Sequence, residues 1–285
     1  MWPILLKLGP ITLNTYGLMI AIGFLTALHF IQKECAKQNI SAEVMNTAAF
    51  WSLLLGIAGT RALHIFMFPS EYSWSDPIGW IAIWRGGLVF QGGPPVAAMF
   101  LFVFLRKHGV SFLKVIDIAG VYLPLAHAIG RMGCFFKGCC YGKLTTVPWG
   151  LSFPRWPKDI SQTPTDSPAY LDQLREGLIQ ATDTHALAVH PTQFYEAAFL
   201  VGICISLYFI RKKWHLFDGI VLPAYLALYG VARFIVEFYR GDNNPTVFNG
   251  LISEQQAFSL LSLPIAVILF IVLYLYSKRQ KSATA

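Results

Sequence analysis

Seven stretches of the chain read as nearly unbroken apolar runs: residues 16–31, 47–68, 88–105, 115–132, 194–210, 219–236 and 257–276. A helix needs roughly 20 apolar residues to cross a bilayer core, and each run is close to that length, the first being the shortest. The runs are continuous rather than alternating, which excludes a membrane barrel, and hydrocarbon leaves a spanning backbone no other way to pair its polar groups than a helix. The pattern predicts an all-α membrane protein of seven transmembrane helices, a single polytopic domain over residues 1–285.

Between the fourth and fifth runs the pattern changes. Residues 143–192 are polar and carry Pro148, Pro154, Pro157, Pro164 and Pro168. A structureless connection of that length is unusual in a compact fold, so a small head is expected there, with YLDQLREGLIQA (residues 170–181) as a surface helix. The head ends in HPTQFYE (residues 190–196), where Pro191 stiffens the start of the fifth spanning helix.

Basic residues orient the frame. Lys33 and Lys37 fall in the first connection, Arg106, Lys107 and Lys114 in the third, Arg211, Lys212 and Lys213 in the fifth, and Lys278, Arg279 and Lys281 in the tail. The opposite side has only Lys7, Arg85 and Arg240 outside the head's own charges. The N-terminus is expected outside and the C-terminus inside, which makes the head extracytoplasmic. Composition agrees with a membrane protein, at 55% hydrophobic and 13% charged residues. The net charge of +7 is then a topology signal and gives no support to a nucleic-acid partner. The first ten residues lack the charged–apolar–small pattern of a cleavable signal, so the first helix is expected to stay as an anchor.

The chemistry concentrates at GRMGCFFKGCCYG, residues 130–142. Arg131 sits at the end of an apolar run, where a cation costs a few kcal/mol and calls for a partner or a ligand. Gly130, Gly133, Gly138 and Gly142 are expected to let the backbone turn tightly against a bound group. An arginine over such a turn suits a phosphate. Of the five cysteines, Cys35 falls on the inner side and Cys204 within a helix. Cys134, Cys139 and Cys140 lie together. Small packing residues in a tight loop are the preferred reading of these three over a metal or redox role, because the segment has no histidine or carboxylate to complete a ligand set. No metal is therefore assigned, and a disulfide from Cys134 to Cys139 or Cys140 stays open.

A second polar set lies on the sixth run. Tyr225, Tyr229, Arg233 and Glu237 recur every four residues, and Arg240 returns to the same face. Such a stripe must face the bundle interior or a polar cavity. A structural Arg233–Glu237 pair is one reading. A site is the other, favoured because Arg131 and Arg233 both fall near the outer ends of their helices and two guanidinium forks match phosphate oxygens. Arg61 and His64 share one face of the second helix, where an arginine bonding loop carbonyls explains them as well as a site does. Tyr16 falls at the outer interface, where belt tyrosines are common. WRGGLVFQGG (residues 84–93) supplies Arg85, Gln91 and paired glycines.

These residues together resemble the prolipoprotein diacylglyceryl transferases. The likeness covers essentially the whole chain: YGLM at Tyr16, the GG-L-F-x-GG segment at 86–93, the glycine-rich signature at 130–142, HPTQFYE, and the Tyr229–Arg233–Glu237 stripe. The resemblance implies transfer of diacylglycerol from phosphatidylglycerol to the lipobox cysteine thiol of a prolipoprotein, with glycerol phosphate leaving and no cofactor. It implies a multi-pass protein of the bacterial cytoplasmic (inner) membrane whose partners are phosphatidylglycerol and prolipoprotein signal peptides. It assigns Arg131, Arg233 and Tyr229 to catalysis, and Tyr16, Gly133, Gly142, Gln91, Glu237 and His190, with Arg131, to substrate binding. Where many members of the family have a histidine suited to deprotonating the thiol, this chain has Gln91. An asparagine common after the arginine signature is replaced by Cys134. His190 and His127 are the substitutes as base, although a mid-helix histidine such as His127 is more often a satisfied bundle residue. Two other readings are a divergent enzyme with another acceptor and a non-catalytic lipid- or lipoprotein-binding protein. The expected topology puts residues 133–193 outside and residues 211–218 inside. Cysteine-accessibility labelling checks this, and residue 213 found outside would overturn the arrangement.

Overall fold

The computed structural model describes residues 3–8, 11–83, 86–156, 166–242, 246–247 and 249–284, so Arg85 lies outside the described residues. Among these, seven longer helices follow the order of the apolar runs: α1 (Thr15–Ala36), α2 (Ala42–Met67), α3 (Gly93–Lys107), α4 (Phe112–Lys137), α6 (Thr192–Lys213), α7 (Val221–Glu237) and α8 (Glu254–Thr284). A short helix, α5 (Pro168–Arg175), precedes α6. Five of the helices (α1, α2, α4, α6 and α8) are long and apolar enough to cross a membrane. With 15 and 17 residues, α3 and α7 reach only about 22 and 25 Å at the helical rise. The protein is thus a helical membrane protein.

Two compact units divide the chain, one of Phe30–Ile118 and the other of Met1–His29 with Ala119–Ala285. In the first, Ser41 caps α2 by accepting from the Glu43 and Val44 amides, which satisfies donors the helix itself cannot. Glycines let α2 and α3 meet backbone to backbone: a Cβ on Gly59 would lie 2.5 Å from the Gly92 carbonyl oxygen. Small residues are what permit such close approach in lipid, where apolar contact alone gives no driving force. Arg61 is the structural staple of this unit. Its guanidinium donates to the carbonyls of Gly79, Trp80 (3.2 Å), Gly86 (2.7 Å) and Gly87 (2.8 Å), and His64 Nδ1 meets the Tyr72 hydroxyl at 2.8 Å. Gln91 is exposed in this unit, in a 3₁₀ turn over Phe90–Gly92.

The second unit opens with an antiparallel hairpin of β1 (Ile4–Leu8) and β2 (Ile11–Asn14). Its helices also meet at small residues. A Cβ on Gly23 of α1 would lie 2.7 Å from the Ala126 carbonyl of α4, and one on Gly230 of α7 would lie 3.1 Å from the Ser259 carbonyl of α8. Near the C-terminus, β3 (Thr246–Val247) pairs with β4 (Ile252–Ser253) just before α8. Between α4 and α6 the chain gathers around its own core of Tyr141, Phe153, Ala169, Tyr170, Ile179, Ala186 and Val189. Leu151 and Val189 exchange reciprocal backbone bonds of 3.0 Å, and the buried Tyr170 hydroxyl donates to the Asp183 carbonyl at 3.0 Å. The surface helix expected over 170–181 is shorter and shifted. Pro168 starts it, being tolerated where the first amides have no helical partner. It ends because Gly177 takes a φ of 71° and Leu178 donates back to the Gln173 carbonyl, a left-handed cap.

Candidate active site

Helix α4 continues through the glycine-rich segment to Lys137. Gly130 and Gly133 are therefore helical rather than turn residues. Gly133 is small because Tyr16 packs on it, a Cβ there lying 3.0 Å from the tyrosine ring and 3.2 Å from its backbone oxygen. The turn comes at Gly138, with φ of 71°, followed by Cys140, with φ of 61°, a backbone conformation that costs a residue with a Cβ.

The first turn of α6 then holds this turn in place. Thr192 Oγ1 donates to the Cys140 carbonyl at 2.6 Å and Gln193 Nε2 to the Cys139 carbonyl at 2.7 Å. Gly142 donates to the His190 carbonyl (2.9 Å), His190 to that of Lys143 (2.9 Å), Lys143 to that of Tyr239 (2.8 Å) and Gly241 to that of Tyr141 (3.1 Å). A Cβ on Gly142 would lie 2.6 Å from the carbonyl oxygens of both His190 and Tyr239. The close approach that Gly142 permits is thus to the chain itself.

One carboxylate gathers the charged groups. Glu196 of α6 is 1% exposed. Its Oε1 accepts from Arg131 Nη2 at 2.6 Å and from the Tyr229 hydroxyl at 3.2 Å, and lies 3.8 Å from His127 Nε2. Its Oε2 lies 3.8 Å from Arg233 Nη1. Arg233 Nη2 pairs with Glu237 at 2.9 Å, and Ser253 donates to the other Glu237 oxygen at 2.8 Å. Tyr225 and Tyr229 stack with centroids 5.6 Å apart. The stripe on α7 therefore faces inward onto α4 and α6, and Arg131 and Arg233 converge on one group. Two guanidiniums and two carboxylates balance in charge, which makes so polar a centre tolerable within apolar helices.

Two guanidinium groups keep donors in reserve. Arg131 Nε and Arg233 Nη1 are buried and lack a hydrogen-bond partner among the described residues. Buried donors are nearly always satisfied, and two such exceptions converging beside one carboxylate suit an incoming anion.

The other expected residues fall around this centre. Tyr16 stands at the start of α1 with its ring 5.8 Å from Lys137 Nζ. His190 Nδ1 meets the Tyr195 hydroxyl at 3.1 Å, its ring lying edge-on to Tyr239. Arg240 leaves the stripe, since α7 ends at Glu237, and pairs with Asp242 through Nε at 2.7 Å. The group missing from the sequence-based site is Glu196, and His127, a candidate base from the sequence, is its neighbour. The signal for Glu196 was a lone carboxylate within two turns of the start of an apolar run, as costly there as Arg131. Beside the centre, α6 and α7 form an apolar groove of about 1130 Å³, lined by Phe199, Ile203, Leu228, Ala232 and Ile235 and topped by Trp149, His190, Tyr195 and Tyr239.

The fold and site thus define a helical membrane protein in which two arginines converge on a buried carboxylate beside an apolar groove. The sequence model of the prolipoprotein diacylglyceryl transferases matches residues 3–274, and the chain belongs to that family. Proteins named phosphatidylglycerol–prolipoprotein diacylglyceryl transferase are similar to it over most of its length. The protein from Burkholderia orbicola strain MC0-3 is 30% identical, covering 99% of this chain and 96% of its own. The one from Neisseria meningitidis serogroup C is 28% identical, covering 88% and 87%. A Rhodococcus jostii relative is 28% identical, over 82% of this chain and 64% of its own length.

Glu196→Gln keeps the shape of the side chain and removes its charge, leaving two buried guanidiniums to share one carboxylate. Breaking a buried pair in this way costs about 3–5 kcal/mol. Thermal unfolding in detergent should show a clearly lowered midpoint. An unchanged midpoint would mean that Glu196 does not hold the centre together.

Proposed function

We propose that this protein transfers the diacylglyceryl group of phosphatidylglycerol to the lipobox cysteine thiol of a prolipoprotein at the outer face of the bacterial cytoplasmic membrane, with its N-terminus and the head at 143–192 outside. The observation that carries this is the convergence of Arg131 and Arg233 on one buried point with donors to spare. The names of the relatives supply the substrates.

In the reaction the thiolate sulfur attacks the glyceryl carbon bonded to the phosphate oxygen. A carbon–sulfur bond forms, the carbon–oxygen bond breaks, and glycerol phosphate leaves with an additional negative charge. Arg131 and Arg233 stabilise that charge, which is greater at the transition state than in the bound lipid, and this difference is what accelerates the step. Tyr229, hydrogen-bonded to Glu196, donates to or orients the phosphate, and Glu196 and Glu237 hold the guanidiniums at the right separation. The apolar groove along α6 and α7 receives acyl chains. Tyr16, Gly133, Gly142 and His190 surround or shape the path to the phosphate, and Gln91 is assigned to substrate binding by its place in the family's glycine-rich segment at residues 86–93.

The thiol needs a base, because little of it is ionised near neutrality. His127 fits that role better than His190. It lies 3.8 Å from the carboxylate that joins the arginines, and its side chain is one-third exposed. His190 is engaged with Tyr195 and Tyr239. A reading with another acceptor is favoured only by Gln91.

Radiolabelled phosphatidylglycerol with and without a lipobox peptide tests the assignment. Label should pass to the peptide thiol, and transfer without the peptide to some other acceptor would overturn the choice of acceptor. Arg131→Lys keeps the charge but loses the planar fork, so transfer should fall by tenfold or more, about 1.4 kcal/mol, in protein that still folds. Near-normal transfer by this variant would remove Arg131 from the phosphate. His127→Gln should depress transfer by on the order of a hundredfold, with the loss shrinking as rising pH ionises the thiol directly. A loss independent of pH would rule out the base role.

A further inference from the structure

Three cysteines follow Arg131 closely in sequence, and the transfer chemistry uses none of them. From the segment alone nothing distinguished them from packing residues, since no histidine or carboxylate accompanies them. The fold shows why they meet. Cys134 lies in the last turn of α4. Gly138 and Cys140 both take left-handed backbone angles, and Cys139 donates its amide back to the Cys134 carbonyl at 3.1 Å. The chain reverses and returns the two later sulfurs to the first. All three Sγ atoms lie within 4.8 Å of one another. Thiolates sharing one zinc-like ion at about 2.3 Å stand roughly 3.8–4.0 Å apart, so side-chain adjustments of an ångström or less suffice.

The surroundings complete the case. Gln193, 1% exposed, is anchored by its amide nitrogen on the Cys139 carbonyl, while its buried Oε1 has no hydrogen-bond partner among the described residues. That leaves an uncommitted oxygen donor beside the cysteine turn. The left-handed angle at Cys140, a residue with a Cβ, is held by the Thr192 hydrogen bond to its carbonyl. Such an angle imposed on a non-glycine residue is a common mark of a functional position.

We propose that Cys134, Cys139 and Cys140 form a binding site for one soft d¹⁰ metal cation, with Gln193 Oε1 or a water as the further ligand. A donor set with three thiolate sulfurs selects zinc-, cadmium- or copper(I)-like ions over magnesium, calcium and manganese. Binding converts the thiols to thiolates and releases their protons to solvent. The ion would tie the last turn of α4, which begins three residues after Arg131, to the turn that α6 holds. The site is independent of the identity of the transferred group.

The test uses the full-length protein, reduced and then freed of reductant in detergent, with Cd²⁺ as the probe. One equivalent of cadmium should produce a thiolate-to-metal charge-transfer absorption in the ultraviolet, and magnesium should produce none. Cys139→Ser and Cys140→Ser should lose that absorption, whereas Cys204→Ser should keep it. Alkylation of the wild type followed by peptide mapping needs no variant to fold. Cadmium should protect Cys134, Cys139 and Cys140 and leave Cys204 as reactive as before. Absence of the absorption, its persistence in Cys139→Ser, or equal alkylation of the three thiols with and without cadmium would overturn the site.

Discussion

A single carboxylate organises this protein. Glu196 lies just ahead of the long apolar stretch of α6, and Arg131 of α4 and Arg233 of α7 both reach it, at 2.6 and 3.8 Å. A charge in such a place is stable only when paired and hydrogen-bonded. Glu196 therefore fixes the rotation of three helices about their own axes as well as their distances. Tyr229 and Glu237 depend on the same arrangement, since a helix turned to present Arg233 presents residues four positions away as well. Without the carboxylate, two guanidiniums would repel one another in a medium that screens charge poorly.

Around this centre the backbone is bound as tightly as the side chains. The turn after α4 hydrogen-bonds to the chain on both sides, at His190 before α6 and at Tyr239 after α7. These ties join the small core of Tyr141, Phe153 and Tyr170 to the ends of the helices that carry the charges. Gly142 and Gly241 are what allow the strands of this knot to lie so close.

Much of this was legible in the sequence because lipid makes misplaced polarity costly. The apolar runs mark the helices, and the four-residue recurrence from Tyr225 to Glu237 marks the inward face of α7. For Arg61 the sequence left a binder of loop carbonyls and a site equally open, and its hydrogen bonds to the carbonyls of Trp80, Gly86 and Gly87 bear out the first. Failures came where an element was short or where a residue acted alone. The hairpin of β1 and β2 has strands of five and four residues, too brief to separate from an apolar leader, with Gly9-Pro10 as the one turn signal between them. Arg240 keeps the helical spacing, but α7 stops at Glu237, so periodicity alone carried the stripe too far. Glycine content suggested turns at Gly130 and Gly133, yet helix packing also asks for glycine, and Tyr16 occupies the space at Gly133. Glu196 belongs to no repeat, so only the cost of its burial could have paired it with Arg131.

The spacing of that pair along the chain also sets the order of assembly. Arg131 and Glu196 are 65 residues apart. At the usual pace of synthesis, roughly 5–20 residues per second, Arg131 enters the membrane about 3–13 s before its partner has been made. Over that interval the nascent chain carries a guanidinium whose insertion costs about 2.5–3.5 kcal/mol on the translocon scale, and Arg233 has still to follow. The apolar stretch of α4 from Val115 to Ile129 must therefore hold the helix in place without help from the charge network. The early helices insert on hydrophobicity alone, and the electrostatic lock closes only when the second half of the protein arrives.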